Sequence, residues 1–306
     1  MTPEKICAIM KDCTLCPRAC HADRAGGHPG FCGESAVIRG ARAGLHFWEE
    51  PILSGTKGSG TVFFSGCNLR CVFCQNRGIA LGKAGYEITP QRLSEIFLEL
   101  QDQGAHNINL VTGTHFLPQI ALALEMAKPS LDIPVVYNTS SYELPESLRL
   151  LEGLADIYLP DMKYFSPELS QKYAAAQDYF DVAMDAVREM LRQVGPPVSG
   201  SDGLLQKGVI VRHLILPGQT KDSKKILRRL HEEFGGRIYI SIMNQYTPMG
   251  AFPGMEELER SVTPEEYGRV LRFAERIGIE RGFFQEGGTV SDSFIPAFDG
   301  TGILKP

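Results

Sequence analysis

Three cysteines lie close together in segment 66–74 (GCNLRCVFC), with the spacing C-x3-C-x2-C. Three thiolates on one short loop can hold three irons of a [4Fe–4S] cluster, and no fourth cysteine follows closely. A cluster that only carries electrons normally has four cysteine ligands. The spacing of Cys67, Cys71 and Cys74 therefore predicts a cluster with one iron left open for a substrate or cofactor. A zinc knuckle is disfavoured because zinc needs four ligands.

Beyond the last cysteine, short apolar runs alternate with segments of helical periodicity. The chain has 306 residues and 43% hydrophobic content, enough for one large core or a domain with an appendage. Thr89-Pro90 and Thr263-Pro264 are typical helix starts, with an N-cap before a first-turn proline. The predicted strands are 60–65, 107–112, 135–138, 157–159, 209–216, 238–242 and a late one at 282–285. The predicted helices are 90–103, 116–128, 145–151, 179–194, 222–234 and 264–277.

This alternation predicts an α/β fold with a parallel sheet and helices outside it. Six units suggest a partial (β/α)6 barrel of the TIM type rather than a closed barrel of eight. We expect this barrel to span residues 59–306. Residues 1–58 would form a small N-terminal cysteine-rich metal-binding extension, because all the cysteines outside the 67–74 loop lie there.

The cysteine loop resembles the signature of the radical S-adenosylmethionine (radical SAM) enzymes. In that family the open iron binds the amino and carboxylate groups of SAM. One electron from the reduced cluster cleaves SAM to methionine and a 5′-deoxyadenosyl radical, which removes a hydrogen atom from the substrate. The resemblance implies a [4Fe–4S] cluster on the catalytic cysteines Cys67, Cys71 and Cys74, with SAM as the cofactor that carries the chemistry.

Two charged segments lie on or directly after predicted strands, and such barrels carry their sites at the C-terminal ends of the strands. Asp161-x-Lys163 ends the fourth strand, and alternate residues of an extended chain project to the same side. Arg212 lies on the otherwise apolar fifth strand, where a guanidinium needs an anionic partner. Both segments resemble those of pyruvate formate-lyase activating enzymes, which implies contacts with SAM. A surface ion pair is the alternative for Asp161 and Lys163.

The second strand is followed by Val-Thr-Gly-Thr-His at 111–115. Radical SAM enzymes often have Gly-Gly-Glu here, which contacts the SAM amino group, and this chain departs from that pattern. The resemblance implies that Thr112, Thr114 or His115 takes this role. A local hydrogen bond at a helix start is the alternative for His115.

Three further strand ends carry weaker matches to the same activating enzymes. Asn138 and Ser140 lie in a segment similar to one that contacts SAM there. Gln245 or Tyr246 stands near a position where those enzymes have a histidine that contacts the SAM adenosine. Segment 284–286 (FQE) is predicted to line the substrate side.

The extension carries four more cysteines, Cys13, Cys16, Cys20 and Cys32, with the spacing C-x2-C-x3-C-x11-C. Four thiolates close a metal site, so the spacing predicts a structural zinc or an auxiliary iron–sulfur cluster and does not separate the two. An electron relay is the functional alternative to a structural centre. A disulfide is disfavoured in a cytosolic protein.

Three functions remain open at this point. The first is activation of a glycyl radical enzyme or radical modification of another protein, as the resemblance to the activating enzymes implies. The second is radical modification of a small molecule or peptide. The third is a non-catalytic iron–sulfur carrier. Either enzymatic function implies an electron donor such as flavodoxin or ferredoxin.

Composition excludes some classes of partner. A net charge of −5 argues against general nucleic-acid binding. No apolar run has the length that spans a bilayer, and the first residues lack the apolar core of a signal peptide. We therefore expect a cytoplasmic protein with no membrane partner.

Overall fold

The computed structural model of the protein describes residues 1–82, 84–284 and 296–305. The strands are β1 (Ile38–His46), β2 (Ser59–Phe64), β3 (Tyr86–Ile88), β4 (Ile108–Val111), β5 (Val135–Thr139), β6 (Ile157–Pro160), β7 (Val198–Ser199), β8 (Leu205–Leu214), β9 (Tyr239–Met243) and β10 (Gly282–Phe284). The helices are α1 (Pro3–Lys11), α2 (Pro51–Ser54), α3 (Arg77–Ala80), α4 (Pro90–Asp102), α5 (Leu117–Ala127), α6 (Pro145–Leu148), α7 (Pro167–Ala174), α8 (Tyr179–Val194), α9 (Thr220–Phe234) and α10 (Pro264–Arg276).

The strands form one sheet in the order β10-β9-β8-β6-β5-β4-β2-β1-β3, with β7 beside β8. Every neighbouring pair from β10 to β2 is parallel. These seven parallel strands are the six predicted strands and the predicted late strand. The predicted α/β fold with a partial barrel is therefore confirmed. Thr89 and Thr263 cap α4 and α10 as expected, each accepting a hydrogen bond from a first-turn N–H.

Strands β1 and β3 were not predicted. β1 runs antiparallel to β2, with His46 opposite Ser59, and β3 runs antiparallel to β1. The sequence of β1 (IRGARAGLH) lacks the run of β-branched and aromatic residues that marks a strand, so its pairing with β2 has to stabilise it. The predicted boundary between residues 58 and 59 thus falls between two hydrogen-bonded strands of the same sheet.

The two faces of the parallel strands have different partners. The outer face packs against the helices in the largest core cluster, which includes Phe64, Leu110 and Tyr137. The inner face forms a smaller cluster around Leu53 of α2, joined by Val136, Ile157, Leu159, Leu205 and Ile210. Helices surround the strands, and no helix in the described ranges combines the length and apolar character needed to cross a membrane.

Helix α2 closes the inside of the barrel at one end. The side-chain amide of Asn107, just before β4, donates to the Leu53 carbonyl at 2.8 Å. Because Asn107 precedes its strand, α2 lies at the N-terminal edge of the sheet and forms a floor there. The space inside the barrel, the lumen, therefore opens at the C-terminal edge.

We expect Leu53→Ala to lower the free energy of unfolding by about 2–5 kcal/mol, because it leaves a cavity in the packed floor. Leu304→Ala is the matched control: Leu304 is 51% exposed, and its truncation should change stability by less than about 0.5 kcal/mol. Urea denaturation of both variants measures the difference. Equal losses would show that α2 does not pack as a floor.

Candidate functional site

The cysteine loop lies at the C-terminal end of β2, as the sequence predicts. The Cys67 N–H donates to the Cys32 carbonyl at 3.3 Å, and the Arg70 and Val72 N–H groups donate to carbonyls of α7 at 3.2 and 2.9 Å. Gly66, just before the first thiol, has a φ of +84°. A β-carbon there would lie 2.4 Å from Glu34. The loop is therefore held between the N-terminal extension and the barrel.

His115 supports this loop from behind. Its Nε2 lies 2.6 Å from the Ser65 carbonyl oxygen, and its side chain is buried. Burial lowers the pKa of His115 to about 3, so the ring is neutral and Nε2 donates the hydrogen bond. The bond joins residues that are 50 positions apart, so it is not the local bond at a helix start, and it holds the ring against the end of β2.

The predicted charged residues meet inside the barrel. Arg212 donates from Nε to Asp161 at 2.9 Å, from Nη1 to Glu49 at 3.0 Å and from Nη2 to Asn138 at 2.7 Å. Lys163 donates to the other oxygen of Asp161 at 2.6 Å. Burial opposes ionisation of Asp161, but Arg212 and Lys163 outweigh it and hold the pKa of Asp161 below its usual value.

These groups line a lumen that reaches from solvent to the floor. The exposed fraction of the side chain falls from 22% at Lys163 to 16% at Arg212 and 8% at Glu49. The Asp161–Lys163 pair is therefore at the mouth of a partly buried network, and the alternative of an ordinary surface ion pair does not describe it.

Sequence reasoning missed Glu49 and Glu50. They precede α2 on the floor, and Glu49 also accepts from the side-chain amides of Asn109 at 3.0 Å and Asn138 at 3.4 Å. Acidic residues are favoured near the N-terminus of any helix, so two acids before Pro51 do not by themselves indicate a site. No motif or spacing marks them as lumen residues, so only their place under the barrel could reveal them.

The other predicted residues are distributed around this network. Thr112, at the end of β4, has a φ of +53° and is partly exposed at the rim of the lumen. Such a backbone conformation is an outlier for a β-branched residue and is typical of functional sites. Ser140 is buried, and its carbonyl accepts from Tyr179. Gln245 is partly buried and contacts the Met243 sulfur at 3.6 Å.

Tyr246 is turned away from the lumen, because its hydroxyl donates to the Leu258 carbonyl at 2.7 Å. Gln285 and Glu286 lie outside the described residues.

Thr114 belongs to a separate buried cluster. Its hydroxyl, with those of Tyr137 and Thr139, donates to one carboxylate oxygen of Glu143 at 2.5–2.9 Å. Tyr137 and Thr139 alternate with Asn138 along β5 and face the helices. Thr114 is therefore on the outer face of the sheet, and the structure does not bring it to the lumen.

Residues 61–230 match the sequence pattern of the Radical SAM superfamily, a stretch longer than half of the chain. The chain belongs to the radical SAM superfamily. Its cysteine loop, at the head of the matched region, is therefore that of a radical SAM enzyme, and the family brings a [4Fe–4S] cluster and SAM.

Two proteins similar to this radical SAM enzyme share limited sequence identity with it. An uncharacterized protein of Methanocaldococcus jannaschii is 27% identical over 280 residues, which cover 89% of this chain and 77% of that protein. The crystal structure of Streptococcus suis SuiB bound to the precursor peptide SuiA has a TM-score of 0.50 and 12% identity, and the match covers 72% of this chain and 46% of SuiB. The chain thus matches less than half of SuiB, and this likeness shows the fold alone.

A domain of pyruvate-formate lyase-activating enzyme from Bacteroides vulgatus ATCC 8482 gives a TM-score of 0.39 at 11% identity, covering 64% of this chain and 91% of that domain. A likeness at this score carries no argument about the branch of the superfamily.

The chemistry of the donor set in the loop, three thiols, is the one that the cluster of a radical SAM enzyme requires. Burial raises the pKa of Cys67 to about 12 and that of Cys74 to about 11, so metal binding has to displace their protons. Burial also raises the pKa of Cys71, while the charge of Lys163 acts in the opposite direction. The Tyr164 hydroxyl lies 3.9 Å from the Cys71 sulfur and can donate to it. Cys67, Cys71 and Cys74 would each hold one iron.

In the extension, Cys13 and Cys32 are buried, Cys16 is partly buried and Cys20 is exposed. The Arg24 guanidinium, 1% exposed, donates to the Cys13 sulfur at 3.5 Å and to the carbonyls of residues 34 and 35. Within the described ranges, no three His, Cys, Asp or Glu side chains are grouped so that they could hold a metal ion, and this applies to the thiols of the loop as well as to those of the extension.

We expect Glu143 to make the stability of this radical SAM enzyme depend on pH. Burial raises the pKa of Glu143 to about 7, from an ordinary 4.5. The unfolded chain loses this proton first, so the folded state is disfavoured as the pH rises from 4.5 to 7. The group should lower the free energy of unfolding by about 3 kcal/mol across this window.

Urea denaturation at several pH values measures the effect. Glu143→Gln should remove this slope, while Glu146→Gln, at an exposed position in α6, should retain it. The same slope in both variants would contradict the assignment to Glu143.

Proposed function

We propose that this radical SAM enzyme forms a radical on a protein substrate, by activating a glycyl radical enzyme as pyruvate formate-lyase activating enzymes do or by modifying another protein. The open sheet is the main support. Its edges are β10 and β3, and among the described residues these two strands do not pair to close a barrel. A lumen that is open along one side can admit an extended polypeptide segment, whereas a closed barrel admits a ligand only through its mouth.

The lumen residues have distinct roles in this proposal. The cluster and SAM, when bound, supply a radical that abstracts a hydrogen atom from the substrate. Lys163, at the mouth and beside Cys71, offers a cation to the carboxylate of SAM. Asn138 and Asp161 are hydrogen-bonded to Arg212, which fixes the directions of their polar atoms. Thr112 and Gln245, near the rim, and the buried Ser140 are the remaining candidates for contacts with SAM.

The polar floor favours a second candidate, the modification of a small molecule or a short peptide. Glu49, Asn109 and Arg212 place hydrogen-bonding groups deep in the lumen, where a small substrate would be enclosed. Deuterium labelling separates the two candidates: a deuterated protein partner should transfer its label to 5′-deoxyadenosine only if the partner is the substrate.

For electron supply we propose a small redox protein such as flavodoxin or ferredoxin, because the cluster has to be reduced before each cleavage. We place the protein in the cytoplasm, where eight cysteines remain reduced and available for metal.

We also propose that the four cysteines of the extension bind a zinc ion or a second iron–sulfur cluster. The buried Arg24 supports an anionic centre there. A buried guanidinium favours negative partners, and Arg24 donates to the Cys13 sulfur and two carbonyls, with the Phe116 ring and the Glu34 carboxylate as further neighbours. Metal binding would turn the Cys13 thiol into the thiolate that this cation favours.

We expect Cys71→Ala to abolish the cleavage of SAM, because the loop then holds only two irons. The anaerobically reconstituted protein is reduced with dithionite, and 5′-deoxyadenosine is quantified by chromatography. The loss should be at least about 100-fold, whereas Cys7→Ala, an exposed position in α1, should cleave at the wild-type rate. Undiminished cleavage by Cys71→Ala, or none by the wild type, would contradict radical SAM catalysis at this loop.

We expect Cys16→Ala to lose the metal of the extension and keep the site cluster. Iron and zinc analysis with Mössbauer spectroscopy measures both. About four irons and one zinc per wild-type chain would indicate a structural zinc, and about eight irons would indicate a second cluster. A metal content equal to that of the wild type in Cys16→Ala would refute the assignment.

A further inference from the structure

We infer that the floor of the lumen binds a cationic group of the substrate, an ammonium or a guanidinium, beside Glu50 and Asn109. The inference rests on the proposed function, in that the lumen is taken as the place where the substrate lies. It adds the chemical class that the substrate has to carry.

The charges of the lumen do not balance. Asp161 and Glu49 are paired with Arg212 and Lys163, so these four groups carry no net charge. Glu50 is 8% exposed and adds one further carboxylate beside them. Its main electrostatic neighbours are Arg212, already shared by two carboxylates, and the like-charged Glu49. The Ser241 side chain and the backbone N–H of Glu50 itself interact with the carboxylate, but neither carries a charge. A buried carboxylate without its own cation is costly, and a bound cation removes that cost.

Near the floor, unpartnered acceptors include Glu50 Oε2 and Asn109 Oδ1, and the Ser59 hydroxyl at the start of β2 is also unpartnered among the described residues. Both acceptor atoms are buried. Asn109 is fully buried, and its amide nitrogen is already bound to Glu49. Both free atoms are acceptors when the carboxylate is ionised. The ligand that satisfies them is therefore a donor, and ammonium and guanidinium groups are donors only.

The floor lies in the right place for a substrate group. Glu50 and Glu49 precede α2 at the N-terminal edge, while the cysteine loop and Lys163 lie at the C-terminal edge. A substrate that enters from the open edge can reach the floor with a cationic end while its remaining atoms face the cysteine loop. Glu50 would then select the substrate and set its depth, without taking part in the chemistry.

A proton on Glu50 is the competing explanation. Burial has the largest effect and raises the pKa of Glu50. The charge of Arg212 lowers this pKa, and the like charge of Glu49 raises it. A protonated Glu50 satisfies the charge balance by itself. It predicts no preference for a cation over a neutral molecule of the same shape.

Methylguanidinium and its neutral isostere methylurea test the inference by isothermal titration against the reconstituted 306-residue protein. Methylguanidinium should bind at least about tenfold more tightly than methylurea, the range expected for a charged hydrogen bond in a buried site. Glu50→Gln should lower the affinity for methylguanidinium by about tenfold or more. Glu87→Gln, at an exposed position in β3, should leave the affinity for methylguanidinium unchanged. Equal affinities for the two probes, or undiminished binding by a folded Glu50→Gln, would overturn the inference.

Two controls keep the outcomes separate. The comparison of the two probes uses the wild type alone, so it stands even if Glu50→Gln does not fold. Formation of 5′-deoxyadenosine by the same wild-type preparation tests radical chemistry independently. Cleavage without cation preference refutes the cationic floor and leaves the proposed function in place. Cation preference without cleavage refutes the function while the binding site is supported.

Discussion

The contact of Arg212 with Asp161, Glu49 and Asn138 is the interaction on which the inside of the barrel depends. These four residues come from β8, the end of β6, the segment before α2, and β5. One guanidinium therefore ties three parallel strands to the floor. Because all of these groups are partly or fully buried, each charge needs its partner in place. The polar lumen can exist inside an apolar fold only as a complete network.

The N-terminal extension is joined to the site at several points. Arg18 donates to the Asn68 carbonyl at 2.8 Å and lies over the rings of Phe31 and Tyr142. Arg70 lies over the same Phe31 ring from within the cysteine loop. The extension is thus packed against the loop that holds the radical SAM cysteines. A metal in the extension would either stiffen the cysteine loop or pass electrons to its cluster. Both roles would depend on these contacts between the extension and the loop.

Local sequence patterns predicted most of the fold. The seven parallel strands were recognisable because buried parallel strands are short apolar runs, and α4 and α10 because Thr-Pro starts a helix. β1 escaped recognition because its Arg, Gly and Ala residues have no strand preference and only its pairing with β2 makes it a strand. In the site, Asp161, Lys163 and Arg212 were found because charges within or directly after apolar strands are conspicuous.

The sequence by itself determined the cysteine loop and the succession of strands and helices, because both depend on residues that are close together along the chain. Only the tertiary structure decided which polar groups meet. Thr114 faces Glu143 on the outside of the sheet, although it stands two residues after Thr112 at the rim. Glu49 and Glu50 reach the lumen from the segment outside the predicted barrel. Such meetings depend on strand register and on how the sheet curves around its floor, and spacing along the chain contains neither.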